Sequence, residues 1–421
     1  LAAVGRKAVR RLTSIAVLLF GVALLEEMSS GVPSGGAPDI ERALRLSHTA
    51  TAAVLFVVPG LVQLVLDPIV FVLADRFGRA RAVRGGMAVM AVTSLVAAIA
   101  PGPITLACAL SLWGVATGAA VSFTEVTLLD HTGPGAGSDG APEHRARTMA
   151  RWSLMGMIGD FAAPALLGAL AVVSARDTWR VAFAIVGGLL AAWTIALMLR
   201  AFPAAPDTAD EDEPSLWQAV RDAVRDRALL GWLFGMALCN LLDETLVVFA
   251  SLHVRALGAS AAGQSVTVGV FVAGGAIGLV ILDRLLRRIS EHRLIVWAGG
   301  ACAVAFAAWL AAPTVWLSTA LIFVVGATAA PLYPLACARA YARRPGRAGV
   351  VMVASHLFAP FALALPWLLG AIADRAGVPA ALAVMIAEPI GIVALALATR
   401  APTTTTTGDR DSRDSQTGAA P

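Results

Sequence analysis

The feature that most constrains this chain is the recurrence of apolar runs of about 20 residues, each long enough to cross roughly 30 Å of hydrocarbon as a helix. They fall at 12–31, 47–74, 82–100, 104–129, 148–173 and 179–199, and again at 228–250, 263–282, 294–312, 315–338, 349–373 and 379–398. That makes about twelve, six on each side of a polar break. Only 14% of the 421 residues are charged and 58% are hydrophobic, with a mean hydropathy of +0.77. Soluble domains carry about 25% charged residues. We therefore expect an all-α membrane protein with an N-terminal set of six helices over 12–200, a cytoplasmic linker over 201–227, a C-terminal set over 228–398 and a disordered tail over 401–421. A signal peptide shares the basic-then-apolar form of the first run, but further spans follow and no clear cleavage motif ends it.

Orientation follows from the distribution of Lys and Arg. With the N-terminus inside, the inner segments hold 26 of them and the outer segments six, Arg42, Arg45, Arg176, Arg180, Arg255 and Arg375. Both ends are thus predicted to be cytoplasmic, and the net charge of +4 reflects loop arginines rather than nucleic-acid binding. Trp152, Trp179, Trp232, Trp297 and Trp316 fall near predicted helix ends, where an indole prefers the headgroup layer. The linker begins with Pro203, Pro206 and the acids Asp207, Asp210, Glu211, Asp212 and Glu213, then reads as a short amphipathic helix with Leu216, Trp217 and Val220 toward lipid. The loop 131–143, rich in Gly and Pro, is expected to be disordered. Cys108, Cys239, Cys302 and Cys337 are isolated in apolar runs, so neither a disulfide framework nor a zinc site is indicated.

The two halves echo one another, as parallel repeats do. Helix 1 carries Leu19-Phe20-Gly21-Val22-Ala23 before Glu26-Glu27, and helix 7 carries Leu233-Phe234-Gly235-Met236-Ala237 before Asp243-Glu244. Each doubled acid lies about fifteen residues into its span, about 22 Å from the inner face. Between helices 2 and 3 stands a basic turn, Leu73-Ala74-Asp75-Arg76-Phe77-Gly78-Arg79-Ala80-Arg81, and Asp283-Arg284-Leu285-Leu286-Arg287-Arg288 after helix 8 is a degenerate copy. This turn resembles the loop signature of the major facilitator superfamily. Leu73, Asp75, Arg76, Gly78 and Arg79 match it, and Phe71 stands where that family usually has Gly. In helix 5, Gly159 to Gly168 with Pro164 resembles the Gly-Pro element of the family's proton-linked exporters, with Ala163 in place of a Gly. The Arg that those exporters often carry in helix 4 is absent, Gly114 standing there.

The resemblance covers roughly residues 12–398 and implies two six-helix bundles around a cavity that opens alternately to either side. It implies that Asp75 sits against the N-terminal end of helix 11, where helix-end amides favour an anion, and that Arg79 pairs with Asp130. Asp75, Arg76, Gly78, Arg79 and Asp130 would then form a gating cluster. It also implies a cavity lined by helices 1, 4, 7 and 10. The ionisable groups within the predicted spans are overwhelmingly acidic: Glu26, Glu27, Glu125, Asp160, Asp243, Glu244 and Glu388. Such groups are costly in hydrocarbon and face a cavity or a partner. We take Glu26, Glu27, Asn240, Asp243 and Glu244 as the substrate and proton-coupling cluster. Only one member of each adjacent pair is expected to point inward, and Asn240 to share a helix face with Asp243. Asp160 is a further relay candidate, and Trp113 and Tyr333 are candidates for an aromatic surface toward a cation. His356 reads as a packed histidine, and Glu388 as peripheral.

Such a site suits a proton-coupled carrier of small organic solutes by alternating access, with export of a lipophilic or cationic compound favoured. A proton symporter importing a neutral metabolite such as a sugar, and a sensor that kept the fold without translocation, are the alternatives. The expected partners are a small-molecule substrate, protons and the lipid bilayer, in a monomer. No cofactor, metal site, nucleotide-binding loop or catalytic arrangement is read from the sequence.

Overall fold

The computed structural model describes residues 2–131, 142–173, 177–202, 221–344 and 348–399. Helix α1 is Ala2–Leu44; α2 joins His48–Ala52, a π-helical turn Ala53–Val57 and Val58–Phe77; α3 is Arg79–Ala98, α4 Pro103–His131, α5 Pro142–Val173 and α6 Thr178–Met198. In the second half α7 has two pieces, α7a (Arg227–Leu238) and α7b (Glu244–Ala256), followed by α8 (Ala261–Leu285) and α9 (Glu291–Leu310). Helix α10 is likewise split into α10a (Val315–Ala329) and α10b (Leu332–Ala342). Helix α11 runs through Ala348–Ser355, a 3₁₀ turn His356–Phe358 and Ala359–Ala376, and α12 through Val378–Met385 and Ala387–Ala398. Among the described residues, eleven helical runs are long and apolar enough to span a membrane, and α7 provides a twelfth in two shorter pieces.

Helix pairing groups these into two bundles. In the first, α1 packs on α5 and α6, α3 on α4 and α6, and α2 on α4; in the second, α8 packs on α10a and α7b, and α9 on α10a and α12. The bundles meet where α5 lies along α8 and α10b, and where the first segment of α11 touches α2 and α4. Small residues permit the close approaches, as in membrane helix packing generally. A Cβ at Gly278 would stand 2.1 Å from the Ala327 carbonyl oxygen of α10a, and one at Gly159 would stand 2.3 Å from that of Leu24 in α1. The hydroxyls of Thr93, Thr124, Thr127 and Thr194 each return to a carbonyl four residues back, which satisfies them without water.

Chain alternation puts the start of α1, the α2–α3 turn and the α4–α5, α6–α7, α8–α9 and α10–α11 connections on one side, here termed the basic face. There Asp283 at the end of α8 accepts from Arg151 Nε at 3.0 Å and Arg147 Nε at 3.3 Å on α5, with Arg287 at 3.5 Å. This ties one bundle to the other. Asp226 caps α7a, accepting from the Ala228 and Leu229 amides at 3.1 Å, and pairs with Arg343 Nη2 at 3.0 Å. Burial works to raise its carboxyl, but those amides and the guanidinium outweigh it and hold the group below the usual carboxylate range.

Three expectations are corrected. The first helix does not end near residue 31: its apolar stretch is Ile15–Leu44, because Pro33 and Pro38 are carried within the continuing helix, whose lost hydrogen bonds a membrane helix tolerates. Glu26 therefore lies eleven residues from Ile15, about 16 Å along it, nearer the middle than the outer third. Trp179, Trp232 and Trp152 are buried against other helices rather than turned outward to lipid; Trp297 and Trp316 are exposed. Trp179 packs edge-on to Phe183 beneath the Arg180 guanidinium, 4.2 Å from its ring centroid. Finally, the seventh span is not one helix. The proposed linker helix lies almost wholly outside the described residues, as do residues 132–141 of the glycine-rich loop and the tail.

Candidate functional site

A cavity of about 360 Å³ lies between the bundles. From the first bundle, Glu26 and Glu27 of α1, Glu125 of α4, and Trp152, Ser153 and Asp160 of α5 reach it. From the second come Asn240 and Asp243 of the α7 break, Tyr333 of α10b and Glu388 of α12. Its ionisable lining among the described residues, tyrosine aside, is thus six carboxylates and the Cys239 thiol, with no Lys, Arg or His.

Both acids of the first pair line it. Glu27 leans on α5, where Gly156 leaves room: a Cβ there would meet Glu27 Cγ at 3.3 Å. Ser30 Oγ donates to Glu27 Oε2 at 3.3 Å. Neighbours about 100° apart on the helix thus both reach the cavity wall. This differs from the expectation that only one would face inward.

The second pair is organised by a chain break instead of a helix face. Residues 239–243 form turns between α7a and α7b, so Asn240 and Asp243 do not share a helical stripe. Asn240 Nδ2 donates back to the Ala237 carbonyl at 3.0 Å. The break frees backbone groups inside the membrane, where each needs a partner. Glu388 supplies one: its Oε2 accepts the Leu242 amide at 2.7 Å, and the residue is 1% exposed. This differs from the expectation that Glu388 is peripheral. It enters the site because α12 is itself interrupted at Ile386, placing Glu388 in the first turn of its second segment.

Glu125 closes the basic-face end of the cavity. Its Oε1 accepts from Cys337 Sγ of α10b at 3.0 Å, with Tyr341 of the same helix also hydrogen-bonded to it. This is a contact between bundles. Trp113 does not reach the cavity; its indole nitrogen is buried without a hydrogen-bond partner, on the stretch of α4 that packs against α2. The side chains of Glu244, Asp75, Arg76 and Asp130 lie outside the described residues. Gly78 adopts φ +87° and begins α3, a turn that favours glycine, and Arg79 is half-buried there.

One intramembrane acid escaped the sequence reading. Asp67, in α2 before Pro68, is 5% exposed and lies 3.6 Å from His356 Nε2 of α11. Its signal was present, an isolated carboxylate in the apolar stretch 64–72. Among the described residues, no three of His, Cys, Asp and Glu converge as metal ligands.

Two bundles of apolar, membrane-length helices around a polar cavity define a membrane carrier for small solutes. The chain belongs to the major facilitator superfamily: the family's sequence model, described as Major Facilitator Superfamily, matches residues 19–359. No curated protein sequence matches the chain. Among solved structures, the E. coli fucose:proton symporter FucP is similar over 93% of this chain and 100% of its own, with TM-score 0.77 and 12% identity. The proton:xylose symporter XylE covers 92% and 95%, with TM-score 0.67 and 13% identity. The human organic anion transporter MFSD10 covers 91% and 99%, with TM-score 0.66 and 17% identity. At these identities the likeness concerns the fold.

Proposed function

We propose that this protein is a proton-coupled carrier of a small organic solute bearing a positive charge, exchanging it for protons by alternating access. The observation that carries the reading is the cavity's acidity: six carboxyl side chains reach it, and no described cationic side chain does. An anionic solute would meet repulsion there, whereas a cation offsets the acids and leaves them again as they take up protons. The volume, about 360 Å³, lies at the small end of ligand sites and suits a compact amine. We place the basic face in the cytoplasm, since it gathers the arginines, so the present arrangement is closed inside. A second reading, symport of a neutral polyol, is favoured by Trp152, Ser153 and Asn240 on the wall, groups that suit an apolar ring face and hydroxyls.

Proteoliposomes with an internal pH dye test both. Addition of small amines should drive proton movement in wild type, and a Glu26→Gln/Glu27→Gln/Asp243→Asn variant should lose it by about tenfold or more. Flux with sugars and none with amines would select the second reading. Flux that survives in the variant would remove these acids from coupling.

A further inference from the structure

Outside the cavity, a second titratable pair spans the two bundles. Asp67 projects from α2 of the first bundle and His356 from α11 of the second, with Nε2 3.6 Å from Oδ2. The carboxylate is buried and its other oxygen, Oδ1, has no hydrogen-bond partner. On the α4 side it rests against backbone: a Cβ at Gly118 would lie 2.9 Å from Oδ1. The histidine is fixed from both sides, its Nδ1 3.1 Å from the Met352 carbonyl and its ring edge-on to Phe71, with centroids 4.7 Å apart. His356 also opens the 3₁₀ turn His356–Phe358 that interrupts α11, and such a turn within a helix often marks a hinge. The segment of α11 on the basic-face side of this turn packs against both α2 and α4.

We propose that Asp67 and His356 form a proton-binding latch that holds the basic face closed. An unpaired buried carboxylate is costly. A protonated imidazole 3.6 Å away gives it an ionic partner, but only while α11 touches α2. When the bundles part at the basic face, water enters between the two groups and the attraction is lost. The ring then hands its proton to that water, leaving neutral His356 on one bundle and solvated Asp67 on the other. One proton is thus bound in the closed state and released to the basic-face side in the open one.

The other ionisable groups on the surrounding elements are engaged or remote. Glu125 of α4 is bonded to Cys337. Asp226, at the start of α7a, is paired with Arg343. Asp374 and Arg375 lie at the far end of α11, and Arg79 and Arg81 at the start of α3. Arg339 of α10b pairs with Glu291, Tyr341 of the same helix bonds to Glu125, Arg84 of α3 donates to the Leu197 and Arg200 carbonyls, and Arg227 at the start of α7a is exposed. Asp75 and Arg76 of α2 and Asp130 and His131 of α4 have side chains outside the described residues.

The latch rests on the alternating-access part of the functional reading and not on the cavity acids. Hydrogen–deuterium exchange of the full chain in nanodiscs tests it, with rates corrected for the intrinsic pH dependence of exchange. In wild type, raising the pH from about 5 to about 8, the range over which histidine changes charge, should speed exchange in 58–77 and 348–358 by roughly fivefold or more. His356→Gln and Asp67→Asn should each abolish that pH dependence, and the double variant should behave like either single one. Exchange in wild type that ignores pH, or a pH response that persists in His356→Gln, would overturn the proposal. His356, with 23% of its side chain exposed, is the safer site, so His356→Gln alone decides the matter where Asp67→Asn does not fold. A Glu26→Gln/Glu27→Gln variant should keep the pH response whatever happens to its solute-driven flux, which separates failure of the latch from failure of the cavity reading.

Discussion

Asp226 shows how much one side chain at a helix end can do. Its carboxylate caps α7a and meets Arg343 of α10b, and it is held below the usual carboxylate range despite partial burial. A carboxyl with a depressed native pKa contributes stability above its unfolded value, and loses it as pH falls through the native one. Asp226→Ala should therefore destabilise the protein by about 1 kcal/mol near neutral pH, the usual worth of an N-cap. The deficit relative to wild type should shrink once the pH drops below about 3.9, the ordinary aspartate value. Asp226→Asn, which still caps, should lose less. Thermal unfolding in detergent across a pH series reads both, and an undiminished deficit at low pH would argue against the charge. The Asp-Arg-Ala at 226–228 gave no hint of this contact in sequence, because Arg343 comes from a helix more than a hundred residues on.

At the scale of elements, the break in α7 decides the shape of the second half of the site. A continuous helix over 228–250 was the natural reading, since Cys239-Asn240-Leu241-Leu242 contains neither Gly nor Pro. The interruption becomes tenable because Glu388 accepts the Leu242 amide, a partner that lies on a different helix and that local pattern cannot supply. Glu388→Ala would leave that buried amide unpaired, at a cost of about 1–3 kcal/mol. Glu388→Gln retains an oxygen acceptor and should cost less. Comparable melting of the two variants would show that the hydrogen bond is not what sustains the break. The split in α10 was more legible, because Pro331 lies in it and Pro334 in the first turn of α10b, and each removes a backbone donor.

For the whole molecule, the balance between closed and open basic face depends on contacts that cross between bundles: Asp283 with Arg147 and Arg151, Glu125 with Cys337, and Asp67 with His356. The arginine pair is partly solvated, so its worth is limited to about 1 kcal/mol. Asp283→Asn should accordingly shift the population toward an open basic face by roughly fivefold. Spin labels at Arg81→Cys and Arg293→Cys, in a Cys108→Ser background that removes the exposed native thiol, would report this as a longer distance. An unchanged distance distribution would mean that the remaining contacts suffice.

The sequence by itself determined that the chain is helical, membrane-embedded, divided six and six, and rich in intramembrane acids. Those properties follow from hydrophobic length and from the cost of charge in hydrocarbon, both of which are local. Glu26, Glu27, Asp160 and Asp243 could be named as intramembrane acids on that ground alone, and the family resemblance, which implies a cavity lined by helices 1, 4, 7 and 10, put Glu26, Glu27, Asn240 and Asp243 first. Only the tertiary structure decided which of the acids share a cavity, that Trp113 stands apart from it, that Glu388 belongs to it, and that Asp67 faces His356. Each of these depends on which helices come together and where they bend, and that is set by packing between residues far apart in the chain.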